Sequence, residues 1–241
     1  MAPATMNEPD PQILVRVGVA FLDLMHKVER SMSPAQRSRF RREIESKWLP
    51  RESQAFEASM AAVGMVNGIV AAQHEVHEKG GGGIIADKEF AEALLLEYVA
   101  LSEGLFYQQL RLVAFLTAQT GEPMAKGERA VRVQSVDEIQ GPHVVLENLV
   151  SHARVSGFGT ALDGIFENKV RRAIAHFDLA IDAEGNVRFY DTDKRGRRTH
   201  VGTCSIQELQ RMNWTLRDFC QSFAIAPSDY AGRELGLRKS T

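Results

Sequence analysis

The run Glu167-Asn168-Lys169-Val170-Arg171-Arg172-Ala173-Ile174-Ala175-His176 concentrates the side chains best suited to chemistry on a phosphate. On a regular helix each residue advances about 100°, so Asn168, Arg172 and His176 form one polar stripe beside an apolar face. Arg171 then lies about 60° from Asn168, farther round the exposed side. Two guanidiniums and an imidazole near a helix C-terminus suit a phosphodiester: arginine stays charged and donates in planar pairs, and histidine titrates near neutrality. A plainer reading stands beside this one. Glu167 and Arg171 have the spacing of a surface ion pair, and Arg and His in a last turn complement the helix dipole. Spacing alone leaves both open.

A second basic group follows at Asp193-Lys194-Arg195-Gly196-Arg197-Arg198, four basic residues against one acidic. Lys194, Arg195, Arg197 and Arg198 could neutralise phosphates and steepen the salt dependence of polyanion binding; the same composition also makes an ordinary solvated turn. Other motifs carry less. His74 and His77 sit three apart on one helix, but zinc needs more ligands and the HExxH spacing is absent, which leaves a solvated helix end. Gly157-Phe158-Gly159 precedes a helix, yet no strand comes before it, so it reads as a helix stop and a new cap rather than a phosphate loop. No nucleophile elbow is present. No metal site and no cofactor is expected.

The elements that must hold these groups are mostly helical. Pro11 opens a first helix with Ile13, Leu14, Val17, Phe21, Leu24, Met25 and Val28 on one face. Ser33-Pro34 opens a second that Pro50 is expected to end. A third runs from about Glu52 to Glu78 and stops at the glycines 80–83. Asp87 caps the longest, which Gly121 and Pro123 close. Val131 and Val133 suggest a short strand, and Ser135 to Glu138 a capping box. Gly141-Pro142 begins a helix ending at Gly157, and Thr160 caps the helix bearing Arg171 and His176. After His176 the period falls to two: Phe177, Leu179 and Ile181 alternate with Asp178, Ala180 and Asp182, and a Glu184-Gly185-Asn186 turn leads to Val187 and Phe189. Ser205 and Glu208 open a last helix to about Phe223. The chain therefore divides into a disordered N-terminus (1–10), an N-terminal helical region (11–83), a helical domain (84–225) with a β-hairpin at about 177–191, and a tail (226–241).

Composition bounds the rest. At 241 residues, with 44% hydrophobic and 25% charged, the chain has the make-up of a folded domain and not of a disordered polymer. Lys plus Arg number 29 against 31 Asp plus Glu, a net charge of −2, which excludes a global polycation but not a local basic patch. Cys204 and Cys220 cannot build a disulfide framework and fit a reducing compartment. No basic stretch leads into an apolar run at the N-terminus, and Ala61 to Ala72 is too short to span a bilayer. The expectation is a soluble cytoplasmic protein without a membrane partner.

Arg171 and His176 also match an Arg-x4-His signature, and VRRAIAHFDLAID resembles the RN-AIAH passages of larger members of the HEPN superfamily (higher eukaryotes and prokaryotes nucleotide-binding domains). The resemblance covers roughly residues 87 to 223. It implies a HEPN-like helical bundle in which a small hairpin and a capping helix follow the motif. Active members of the family are metal-independent endoribonucleases, frequent in toxin–antitoxin and phage-defence systems. The resemblance thus implies RNA as ligand, a homodimer, and an antitoxin or other protein as partner. Carried over, Arg171 would neutralise the scissile phosphate and His176 would assist the ribose 2′-hydroxyl. Arg172 departs from the family, which commonly has Asn there. An added cation could strengthen RNA binding or mark a binding-only member, and many relatives lack activity. The alternative from another class is a non-catalytic helical protein-interaction module.

Arg171 and His176 diverge by about 140° on one helix, so two copies facing each other across a two-fold axis would gather more of these groups on one phosphate. A mass measurement in solution should accordingly give a dimer; monomer alone at micromolar concentration would contradict this.

Overall fold

A computed structural model describes residues 10–78, 87–122, 124–126, 129–131, 137, 145–163, 173–174, 176, 178–193 and 195–234, without the side chains of 73–74, 76–77, 124–126, 129–131 and 227–234. The chain is mostly helical with small antiparallel sheets. In order come α1 (Pro11–Ser31), α2 (Pro34–Glu43), α3 (Leu49–Glu78), α4 (Asp87–Val99), α5 (Tyr107–Gln119), β1 (Met124–Lys126), β2 (Arg129–Val131), α6 (Leu146–Ala153), β3 (Leu179–Ile181), β4 (Val187–Thr192), β5 (Arg198–Cys204) and α7 (Ile206–Glu234). π-Helical turns occupy Ile44–Trp48, Ala100–Phe106 and Arg154–Phe158. Two compact units form, each from separate stretches. One comprises Glu8–Ala55, Leu105–Asp163 and Arg217–Thr241; the other comprises Met1–Asn7, Phe56–Gly104 and Gly164–Leu216.

The first unit is organised by aromatic packing. Asp10 caps α1 by accepting from the Gln12 amide at 2.8 Å, with Pro11 in the first turn, and Val17, Ala20, Phe21, Leu24 and Val28 form its buried stripe. Ser33 and Gln36 close a reciprocal capping box at the start of α2. Phe223 sits among Phe21, Phe158 and Phe219, at 5.5, 6.0 and 6.1 Å between ring centroids, and Phe219 meets Phe106 edge-on at 5.2 Å. Each such pair adds about 0.5–1.5 kcal/mol beyond the area it buries. The stripe Phe219, Cys220, Phe223 and Ala226 is buried and continues past the expected end of the last helix, which runs on to Glu234. Pro50 does not stop α2 as a chain end. The hydrogen bonding shifts to a π-helical turn in which the Leu49 amide reaches the Ile44 carbonyl, and the helical run passes through Pro50 into α3.

The second unit packs helices against a sheet. Strands β3, β4 and β5 form an antiparallel meander with β4 central, and a bulge between Phe189 and Tyr190. Val187 and Phe189 point into the core with Ala173, Ile174, Leu94, Tyr98, Leu209 and Leu216 buried alongside. Asn213 donates to the Leu94 carbonyl at 2.9 Å and to Glu97 at 3.1 Å. The turn after β3 is the expected one: Gly185 adopts φ +76°, and a Cβ there would lie 2.8 Å from the Asp87 carbonyl oxygen. The expected hairpin is thus two strands of a three-stranded sheet.

Val131 closes β2, paired with Met124, while Val133, the Ser135 and Glu138 positions, the segment 80–83 and the start of the helix at Gly141-Pro142 lie outside the described residues. The helical run Pro34–Ala72 is long and apolar enough, by length and composition alone, to cross a membrane, with an 18-residue window of mean hydropathy 1.4. Core helices of soluble proteins pass the same test.

Within the first unit, burial lifts the Glu52 carboxyl to about 7, opposed by a hydrogen bond from Gln109. Its Oε1 is buried without a partner. Because the folded value lies above the unfolded one, the associated stability is complete below about pH 4.3 and is lost as pH rises through about 7. Glu52→Gln should leave stability unchanged near pH 4 and raise it by roughly 1–3 kcal/mol near pH 8, read by urea unfolding. Equal stability of the two proteins at the higher pH would contradict this assignment.

Candidate functional site

The site is built where the chain leaves Ala173 and Ile174 for β3. Both residues are helical and buried, and His176, in the turn that follows, is exposed. Asp178 comes next and is the most connected residue of the region. Its amide donates to the Ala173 carbonyl at 2.8 Å, and its own carbonyl accepts from the Tyr190 amide at 2.9 Å. One carboxylate oxygen accepts from the Thr192 hydroxyl at 2.5 Å and the other from Arg198 Nε at 2.7 Å. Arg198 is held on three sides. Besides Asp178 it donates to the Leu179 carbonyl at 3.3 Å, and its guanidinium lies 3.7 Å over the Tyr190 ring.

The Thr192 hydrogen bond holds the Asp178 carboxyl below its usual range, aided by the Arg198 hydrogen bond and charge and by His176. His176 is exposed in the turn two residues before Asp178. His176, expected to transfer a proton, thus stands two residues before the carboxylate that holds Arg198, expected to bind phosphate. Arg197 is tied to Asp193 through Nε at 2.7 Å, and Asp193 also accepts the amides of Arg195 and Arg197. With Gly196 at φ +77°, this makes a closed turn between β4 and β5. Arg195 is exposed on that turn. Asn168, Arg171, Arg172 and Lys194 lie outside the described residues.

Sequence reasoning missed the outer face of the sheet. Asp182, Asn186, Arg188, Tyr190, His200 and Thr203 line an open cavity of about 540 Å³ there. Tyr190 pairs with His200 across the strands, their rings 5.7 Å apart, and His200 Nε2 lies 2.9 Å from the Thr203 hydroxyl. The signal was present in part: strand alternation puts Asp178, Asp182 and Arg188 opposite the apolar positions. Strand β5 gave none, because its first three residues are polar and Gly202 interrupts the alternation of Val201 and Thr203.

Among the described residues, no group of three or more His, Cys, Asp and Glu side chains is placed to hold a metal ion. Both cysteines are buried thiols, and burial pushes Cys204 up to about 12, so neither offers a ready thiolate. No family model, curated protein or solved structure matches the chain.

The depressed acidity of Asp178 has a direct consequence. A carboxylate held below its unfolded value stabilises the fold above about pH 4, and that contribution is lost as pH falls through the folded value. Asp178→Asn should accordingly lose less stability than the parent protein between about pH 5 and pH 2. Parallel acid unfolding of the two proteins would contradict the role given to Asp178.

Proposed function

We propose that this chain is a HEPN-like RNA-binding protein that cleaves its ligand by attack of a ribose 2′-hydroxyl on the adjacent phosphate. The observation that supports the reading is exposed His176 two residues before Asp178, whose carboxylate holds Arg198 over Tyr190 on a sheet face that also bears Arg188 and His200. Arg171, with Arg172, supplies the charge that stabilises the phosphorane, since guanidinium remains cationic at every relevant pH and matches two phosphate oxygens. His176 takes or gives a proton at the reacting oxygens. Tyr190 and Arg188 offer a stacking surface and a cation for an unpaired nucleotide, recognition that tolerates any base.

The nucleophile in this mechanism belongs to RNA, so DNA is not cut. A toxin or phage-defence role, in a two-fold dimer with an antitoxin or other protein partner, accords with the family resemblance. The second reading, a non-catalytic helical interaction module, draws on the fact that Arg197 and Arg198 are each engaged by a carboxylate of the same chain.

The test is incubation of the purified protein with structured and unstructured RNA, with and without chelator. Cleavage should survive chelation, spare DNA and leave a 2′,3′-cyclic phosphate with a 5′-hydroxyl. His176→Ala should slow it by about 10²-fold or more. Cleavage that needs added magnesium, or degrades DNA, would overturn the mechanism; absence of both RNA cleavage and RNA binding would favour the interaction module.

A further inference from the structure

The aromatic unit contains a cationic cluster that the RNA reading does not use. Lys47, in the π-helical turn Ile44–Trp48, and Arg51, one turn on in α3, converge on Asp137, at 2.6 Å from Lys47 Nζ and 3.1 Å from Arg51 Nη2. Arg111 of α5 adds a third cation and is only 7% exposed. Desolvation lowers the Arg111 pKa, and the nearby Arg51 charge lowers it further, against the opposing influence of Tyr107 and Asp137. Trp48 Nε1 donates to the Gln108 carbonyl at 3.3 Å, so the segment that carries Lys47 and Arg51 packs against the start of α5, where Arg111 lies; like charges brought together in this way repel unless an anion lies between them.

The distribution of free donors is specific. Arg111 Nη1 is held by the Gln108 side chain at 3.2 Å, and the guanidinium lies 5.2 Å from the Tyr107 ring centroid. Arg111 Nε and Nη2, and Arg51 Nη1, are buried with no hydrogen-bond partner. Nε and Nη2 are the two donors on one edge of a guanidinium, parallel and spaced to meet two oxygens of one oxyanion. Leaving such donors buried and unmet is costly, and more so on a charged group. Solvent reaches the cluster, because the side chains of Lys47, Arg51 and Asp137 are 34, 36 and 48% exposed.

We propose that Arg111, Arg51 and Lys47 form a binding site for a phosphate group, free or as a monoester, with Asp137 as the resident carboxylate that competes for it. Arg111 grips two oxygens through Nε and Nη2, Arg51 Nη1 takes a third, and Lys47 adds charge as Asp137 is displaced. Glu43, 3.1 Å from Lys47, shares that cation.

Calorimetric titration of the full chain with inorganic phosphate and, separately, with adenosine monophosphate tests the proposal, using chloride at matched ionic strength as the control. Saturable binding is expected for both anions. Asp137→Asn, an exposed substitution that removes the competing charge, should tighten it about tenfold, and Arg111→Gln should abolish it. Tighter binding of the nucleotide than of phosphate assigns a monoester as the natural ligand; equal binding assigns the free anion. Absence of saturable phosphate binding by both the parent protein and Asp137→Asn would overturn the proposal. So would retention of binding in a folded Arg111→Gln protein, and should that variant not fold, the Asp137→Asn result decides.

Discussion

The carboxylate and backbone of Asp178 tie together the end of the helical segment at Ala173, β3, β4 and β5. Its amide closes the end of the helical segment at Ala173, and its carbonyl anchors β4 at Tyr190, next to the bulge. Its two carboxylate oxygens reach Thr192 at the far end of β4 and Arg198 at the start of β5. β3 has three residues, and Leu179 and Ile181 are only half-buried, so apolar packing alone holds its pairing weakly. A charged hydrogen bond supplies the missing directionality. The position of His176, two residues before Asp178, follows from that anchoring.

The same interaction sets the character of the site. Arg198 is fixed by a carboxylate, a carbonyl and an aromatic face, so little side-chain entropy remains to be lost when a ligand arrives. Its charge is largely balanced by Asp178, however, and Arg197 is balanced by Asp193. Arg188 and Arg195 are the exposed cations described beside these pairs. A ligand on this face would thus meet a preorganised surface of rings and planar donors more than a concentrated positive field. Under the RNA-binding reading proposed above, that favours an unpaired, flexible strand whose bases can stack over a rigid duplex held by charge alone.

Local rules carried much of the fold. The caps at Asp10, Ser33 and Ser205 are formed by residues within three positions of one another, so the sequence displays both partners at once. The Gly185 turn is equally local. What escaped sequence reading depends on distance along the chain. Asp178 meets Thr192 and Arg198 at separations of 14 and 20 residues, and no periodicity records such a pairing. β5 was hidden because His200 and Thr203 are exposed and, of its buried residues, only Cys204 is firmly inside. Arg111 belongs to no motif of the sequence, and its guanidinium is buried beside Gln108 and Tyr107. The basic turn after β4 was legible as a cluster of charge, but its internal neutralisation by Asp193 and Asp178 required the backbone to be in place.

The most direct measurement is the side-chain NMR signal of Arg198 Nε–H, observed with and without an unstructured oligoribonucleotide. If Asp178 organises a ligand-binding surface, the free protein gives a slowly exchanging, shifted resonance that Asp178→Asn abolishes, and the oligoribonucleotide displaces it saturably. A rapidly exchanging resonance in the free protein, or one that stays unmoved at saturating RNA, would contradict the account.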